Sequence, residues 1–133
     1  MTINPKLERL IDANLNRLRE ALRLLEDIQR YIFDNKELSK SFKELRHKLT
    51  PLFDTKRLKY RDIINDVSKS STQSEMERDS LNDLIAANFS RAKESSRALE
   101  EAFKLTNTKD SATLKDIRYT LYDLEKKVYK ELE

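Results

Sequence analysis

No glycine occurs anywhere in the 133 residues, where average usage of about 7% would place roughly nine in a chain of this length. Glycine turns tight hairpins and closes helices through the left-handed region at no steric cost. A chain without it is steered away from sheets and toward helices joined by other means. The apolar residues agree. Leu7, Ile11, Leu15, Leu18, Leu22, Leu25 and Ile32 recur at helical spacing. One long helix is expected from about 4 to 33, with Pro5 in its first turn and Asn4 or Thr2 as cap.

Asp34-Asn35 breaks that helix, and a shorter one through Leu38, Phe42, Leu45 and Leu49 ends at Pro51. The connection over about 52–73 has weak periodicity, and connections this long inside compact domains tend to be functional or disordered. Ser74-Glu-Met-Glu77 has the pattern of a capping box. It is expected to open a second long helix carrying Leu81, Ile85, Ala92, Leu99 and Phe103, to about 106. A last helix is expected after Asp110, through Leu114, Ile117, Leu121, Leu124 and Val128.

Several function classes are excluded by what is missing. Cys is absent and His47 is the only histidine, which removes disulfides, thiolate nucleophiles and Cys/His zinc sites. No Gly-x-Ser-x-Gly elbow exists to carry a serine nucleophile. The 27 basic and 24 acidic residues leave a net charge of +3 and are interleaved, so the basic patch of a nucleic-acid binder is not indicated. No signal-peptide pattern or apolar run of 18 residues occurs, so a cytoplasmic protein without a membrane partner is expected.

The chain also repeats itself. ANLNRLREALRLLED, beginning at Ala13, returns 74 residues later as ANFSRAKESSRALEE, beginning at Ala87. Asn14, Arg17, Glu20, Arg23 and Glu26 match Asn88, Arg91, Glu94, Arg97 and Glu100. Leu45-Arg-His-Lys-Leu49 likewise matches Ile117-Arg-Tyr-Thr-Leu121, pairing Arg46 with Arg118. Two half-repeats of about 4–50 and 74–130, each a helical hairpin, predict one all-α domain: a four-helix-type bundle with approximate internal two-fold symmetry.

At about 100° per residue the first apolar stripe centres near Leu18, placing Asn14 inside it and Arg17 at its border. Asn88 and Arg91 repeat the placement. Steps of three residues drift by about 60° each, so the later members wind away from the stripe. Glu26 and Glu100 are therefore expected on the surface, in i,i+4 pairs with Arg30 and Lys104, beside pairs such as Arg23–Asp27 and Arg97–Glu101. The Asn and Arg residues, with Glu20 and Glu94, are expected to make one level of the bundle interior polar. Arg46 and Arg118 would join from the return helices. Register alone is the alternative reading for the two Asn.

Asp-Ala-Asn-Leu-Asn-Arg-x-Arg-Glu at 12–20, Leu-Arg-His at 45–47, Arg-Asp-x-x-x-Asp-Val at 61–67 and Ala-Ala-Asn-x-x-Arg at 86–91 appear in order. Together they resemble the small helical family found alone or fused ahead of thiamine-phosphate synthase, over nearly the whole chain. That family is similar in role to hydroxymethylpyrimidine phosphate kinases. The resemblance implies ATP- and Mg²⁺-dependent phosphorylation of 4-amino-5-hydroxymethyl-2-methylpyrimidine phosphate to the diphosphate. Two positions depart from the family pattern, with Ser68 and Ala21 where it has glycine.

A kinase without glycine cannot use a Gly-rich phosphate loop, so phosphates must be held by Arg side chains and helix N-termini. On this reading Arg17, Arg91 and Arg61 act in transfer. Asn14, Glu20, Arg46, Asn88, Glu94 and Arg118 bind pyrimidine phosphate or ATP, and Asp62 and Asp66 hold Mg²⁺. Helix capping is the alternative for the two Asp, and a rim or core position is the expectation for Tyr60, Tyr119 and Tyr122. Partners are expected to be small molecules, with dimerisation left open. The competing class is a non-catalytic interaction or regulatory module associated with thiamine-phosphate synthase.

Overall fold

The computed structural model describes residues 4–133, the side chain of Ser74 apart; the alternative cap Thr2 lies outside them. Helix α1 spans Pro5–Asp27, with Pro5 at its first position and the Asn4 side chain accepting from the N–H groups of Lys6 and Leu7. It runs on as a single π-helical turn, Ile28–Ile32. The chain then reverses at Asp34, whose φ of 49° is the only positive value among the described residues. Asp is one of the few residues that tolerate the left-handed region, so it serves where glycine is commonly used. Asn35 caps α2, Lys36–Leu49, by accepting from Leu38 N–H.

Pro51 sits in a 3-10 turn, Thr50–Leu52, and a second such turn, Thr55–Tyr60, follows with Asp54 as cap. The chain is then irregular to the single turn α3, Gln73–Met76. Helices α4, Leu81–Phe103, and α5, Thr108–Glu131, complete the fold. No strand occurs among the described residues. The protein is all-α, as its apolar spacing and missing glycines predict.

Two boundaries differ from expectation. The second long helix starts at Leu81, not at Ser74: Ser80 is the working cap, its hydroxyl accepting from Asp83 N–H. Between the two candidate caps only Met76 is apolar, and it stays 69% exposed. A short helix with no face to bury is not sustained by propensity alone. The last helix starts at Thr108 because Asn107 accepts from the N–H groups of Lys109 and Asp110.

Helix α1 packs on both α4 and α2, and α4 packs on α5. Leu15, Leu18 and Leu22 of α1 meet Ile85, Phe89 and Leu99 of α4 and Leu114, Ile117 and Leu121 of α5 in one core, each at most 1% exposed. Burying each such side chain contributes about 1.5–3 kcal/mol. Phe89 lies 5.9 Å from Phe42 and 6.4 Å from Tyr129, ring to ring, tying the two hairpins together. Arg57 joins Glu8 near the start of α1 while its guanidinium lies 5.7 Å from the Phe103 ring at the end of α4. The two long helices are therefore antiparallel. No described helix is long and apolar enough to cross a membrane.

Candidate functional site

The repeated polar residues fall into three fates. Asn14 and Asn88 are buried to matching depths, 8% and 6% exposed. Each donates its amide to the carbonyl four residues earlier, Leu10 O at 3.0 Å and Leu84 O at 2.9 Å. Each side-chain oxygen stays without a donor among the described residues. Each lies on the N-terminal side of the middle of a 23-residue helix, so antiparallel packing sets the two on opposite sides of the centre of the α1–α4 pair. The single polar level expected from the repeat does not form.

Glu26 and Glu100 overturn a second expectation. They are not surface partners of Arg30 and Lys104 but are 3% and 5% exposed. Arg46 Nε donates to Glu26 Oε1 at 3.0 Å, and Arg118 Nε donates to Glu100 Oε2 at 3.0 Å. Arg97 adds a bond of 3.1 Å to Glu100. Burial alone would raise the Glu100 carboxyl, but the bonds from Arg118 and Arg97 outweigh it and hold it below the usual carboxylate range. The Arg118 guanidinium is shifted up, chiefly by its bond to Glu100 and then by Tyr122. Two cations expected at substrate phosphates are thus spent on buried glutamates. The surface pairs Arg23–Asp27 and Arg97–Glu101 do form, each at 3.5 Å.

The third fate is a cleft. The connection folds back over the N-terminal half of α1 and encloses about 1110 Å³ with it. Asn14, Arg17 and Glu20 line the helix side, and Arg61, Asp62 and Asp66 the loop side. Six of the residues expected in a site, 41 or more positions apart in sequence across the two segments, therefore share one opening. The arrangement is pinned by Asp12, which is 7% exposed. Arg61 donates to both its carboxylate oxygens, Nε at 2.8 Å and Nη2 at 2.9 Å. That bond raises the guanidinium pKa, and the Glu20 charge adds to it. Arg9 Nη2 donates to Asp62 O at 3.0 Å, a second tie from helix to loop.

Asp62 and Asp66 shape the loop. Asp62 accepts from the N–H groups of Ile64 and Asn65 and from the Asn65 amide, and Asp66 accepts from Ser68 N–H. The bonds from Asn65, side chain before backbone, hold the Asp62 carboxyl below its ordinary range. It stays ionised beside the opening. No group of three or more metal-ligating side chains occurs among the described residues, so these two would have to share a cation with a ligand's own phosphates. Neither departure from the family pattern strains the backbone: Ser68 keeps a negative φ and Ala21 is buried within α1.

Arg17 is exposed and has no hydrogen-bond or ion-pair partner among the described residues. On the other hairpin Arg91 and Glu94 are exposed as well, with Glu94 in a shallow recess beside Lys93, Arg97 and Tyr122. Tyr119 and Tyr122 pack edge to face at 6.0 Å with Arg118 over both rings, at the rim as expected. Asp12, Arg9 and Lys6 are not legible as site residues from sequence. Asp12 lies about 120° from the stripe centre and its partner is 49 positions away. Charge complementarity within the motifs at 12–20 and 61–67 is the one available signal.

Fold and cleft together define a small helical bundle with a charged, loop-covered opening on one hairpin. The chain belongs to the ThiD2 family, whose sequence pattern matches residues 9–127. It is similar to thiamine-phosphate synthase of Synechocystis sp., 39% identical over 120 residues, or 90% of this chain and 35% of that protein. Thiamine-phosphate synthases of Thermosynechococcus vestitus, 38% identical over 121 residues, and Nostoc punctiforme, 36% over 118, are similar in the same way. These matches cover 90% and 88% of this chain, and 34% of each of those proteins. The chain thus spans about a third of the length of the curated relatives it matches. No solved structure matches it.

Proposed function

We propose that this chain transfers the γ-phosphoryl group of ATP to 4-amino-5-hydroxymethyl-2-methylpyrimidine phosphate, with Mg²⁺, in thiamine biosynthesis. Membership of the ThiD2 family and similarity to part of thiamine-phosphate synthases support the pathway. The observation that carries the chemistry is the pairing, at one opening, of an unpartnered Arg17 with the free side-chain oxygen of Asn14. A guanidinium binds phosphate, and an amide oxygen accepts from an exocyclic amino group.

The nucleophile is an oxygen of the substrate's own phosphate. Its second pKa is about 6, so it is largely ionised at pH 7 and needs no general base. That oxygen bonds to the γ-phosphorus as the bond from phosphorus to the β–γ bridging oxygen breaks, and ADP departs. The protein's task is to hold two anions together. Arg17 neutralises phosphate, while Arg61, with Nε and Nη2 committed to Asp12, has Nη1 left to donate. Glu20 stands across from Arg61 at the rim. Asp62 and Asp66 would hold Mg²⁺, which screens phosphate charge and usually takes one or two carboxylates plus phosphates. Arg46 and Arg118 keep Glu26 and Glu100 paired on this reading, and Asn88, Arg91 and Glu94 belong to the second hairpin.

One observation favours a non-catalytic module instead. Ile63, Ile64 and Val67 on the loop are 75%, 74% and 100% exposed, as residues awaiting a protein surface would be. A coupled ADP assay separates the two. Turnover of the pyrimidine phosphate far above that of the unphosphorylated alcohol supports the kinase, because a phosphate oxygen is already ionised while a hydroxyl must first lose its proton to a positioned base. Comparable turnover of both contradicts the mechanism. No turnover, with no thermal shift from ATP-Mg²⁺ or pyrimidine phosphate, favours the module.

A further inference from the structure

A second cleft, of about 640 Å³, lies between the end of α1 and the start of α2. Arg23, Arg30, Lys36, Lys40, Lys43 and Arg46 line it against two carboxylates, Glu26 and Asp34. That excess of positive charge is larger than the +3 of the whole chain. Glu26 is already committed to Arg46 and lies 4.0 Å from Arg23, so little of its charge is left for the lysines.

Lys36, Lys40 and Lys43 are spaced by four and three residues, which stacks them on one stripe of α2. Like charges at this spacing repel. Elsewhere some lysines offset that cost by pairing, as in Lys127–Asp123 at 3.0 Å and Lys104–Glu101 at 2.7 Å. Here Lys36 and Lys43 have no acidic partner among the described residues, and Lys40 reaches Glu44 only at 4.0 Å. The stripe begins at the first turn of α2, where Asn35 caps Leu38 and the first N–H groups have no helical acceptor.

The internal repeat supplies a control. The second hairpin keeps the buried pair, as Glu100–Arg118, and the capping Asn, as Asn107. At the positions matching Lys36, Lys40 and Lys43 it has Thr108, Ala112 and Lys115. The lysine stripe is therefore not needed to build such a hairpin. Lys36 and Lys40 of the stripe are found in only one of the two hairpin frames.

We propose that this cleft is a binding site for a chain of linked phosphates. The stripe from Lys36 to Lys43 extends about 10 Å, and Arg23 and Arg46 extend it across the opening, which suits a polyphosphate rather than a single phosphate. Arg46 is held by Glu26 through Nε and Nη2, which leaves Nη1 uncommitted at a residue that lines the cleft. Glu20 at the rim of the loop cleft and Arg23 at the rim of this one are three residues, or about 4.5 Å of helix rise, apart. The chain of phosphates is the donor nucleotide's. That identification rests on the kinase reading; the site itself does not.

Calorimetric titration of the full chain with inorganic tripolyphosphate, and separately with ATP, tests the proposal without any turnover. Both should bind and compete. The double variant Lys36→Ala/Lys43→Ala, in exposed positions, should weaken both at least tenfold with an unchanged melting temperature. Lys104→Ala/Lys115→Ala, an equal loss of charge on the second hairpin, should stay within twofold. ATP binding as tightly as tripolyphosphate or tighter supports a nucleotide, and exclusion of ATP by a site that takes tripolyphosphate overturns that assignment. Equal losses in both double variants, no binding to wild type, or displacement of both probes by a tenfold tighter single-stranded RNA would overturn the site. If turnover is absent but tripolyphosphate binds and is lost only in the α2 variant, the kinase reading fails and the site stands.

Discussion

Glu26 with Arg46 and Glu100 with Arg118 form matching buried pairs in two matching hairpins, yet the surroundings differ. Around the first pair stand the α2 lysines, and against the N-terminal half of α1 lies the connection, its ion pairs made to Glu8 and Asp12. Around the second stand Tyr119, Tyr122 and a helix start of Thr108 and Ser111, with the Ser111 hydroxyl donating to Glu100 O at 2.7 Å. The buried pairs that both hairpins share read as scaffold, and what lines or covers only one hairpin reads as function. A repeated residue such as Arg17 marks the site only because the connection, present on one hairpin alone, closes over it.

The largest expected effect sets Arg17 against its repeat partner. Arg17→Ala should lower kcat/KM by about 10²–10³, as removal of one charge-stabilising donor does, with little change in melting temperature, since the side chain has no partner to lose. Arg91→Ala should cost less than about tenfold. Equal losses would restore the symmetric site and break the comparison.

Next in size are the buried pairs, where the hairpins should behave alike. The double variants Arg23→Ala/Arg46→Ala and Arg97→Ala/Arg118→Ala each strand a buried carboxylate, which costs about 3 kcal/mol, or about 10 °C in a domain of this length. Thermal melts of the two variants check this. A loss in one hairpin only would mean that the pairs are not equivalent.

Asp12→Asn should act through Arg61. We expect about a tenfold rise in KM with kcat less affected, and faster proteolysis within 61–69, while stability changes little. A fall in melting temperature without faster cleavage of the loop would make Asp12 a scaffold residue only.

The smallest effect is in acid. The folded Glu100 carboxyl lies below its ordinary value of 4.5. Its stabilisation is therefore complete above pH 4.5 and is lost as pH falls through the lowered folded value. Urea midpoints between about pH 3 and 6 should fall over that window in wild type and flatten in Arg97→Ala/Arg118→Ala, which removes both cations that lower the carboxyl.

Much of this architecture is legible in the amino-acid sequence. Absent glycine and helical spacing point to the fold class, and Asn4, Pro5, Asn35 and Pro51 mark ends where the helices do begin or stop. Glu26 is misplaced by a periodicity argument because a single apolar stripe is not the whole buried surface of α1. That helix has two neighbours, α4 and α2, so its buried arc is wider than the roughly 100° of a surface helix. Glu26, eight residues and thus about 80° from Leu18, falls inside it. The site is half legible for the opposite reason. Motifs name the residues of the loop cleft, but only the fold shows that Asp12 and Arg61 bring two of those motifs together.

Pyrimidine phosphate is proposed to bind in the loop cleft of the first hairpin. Amide hydrogen exchange with and without that ligand tests it most directly, because it locates binding whether or not turnover occurs. Slowed exchange is expected in the connection at 61–69, with residues 84–98 of α4 unchanged. Protection confined to 84–98, or equal protection at both, would contradict it.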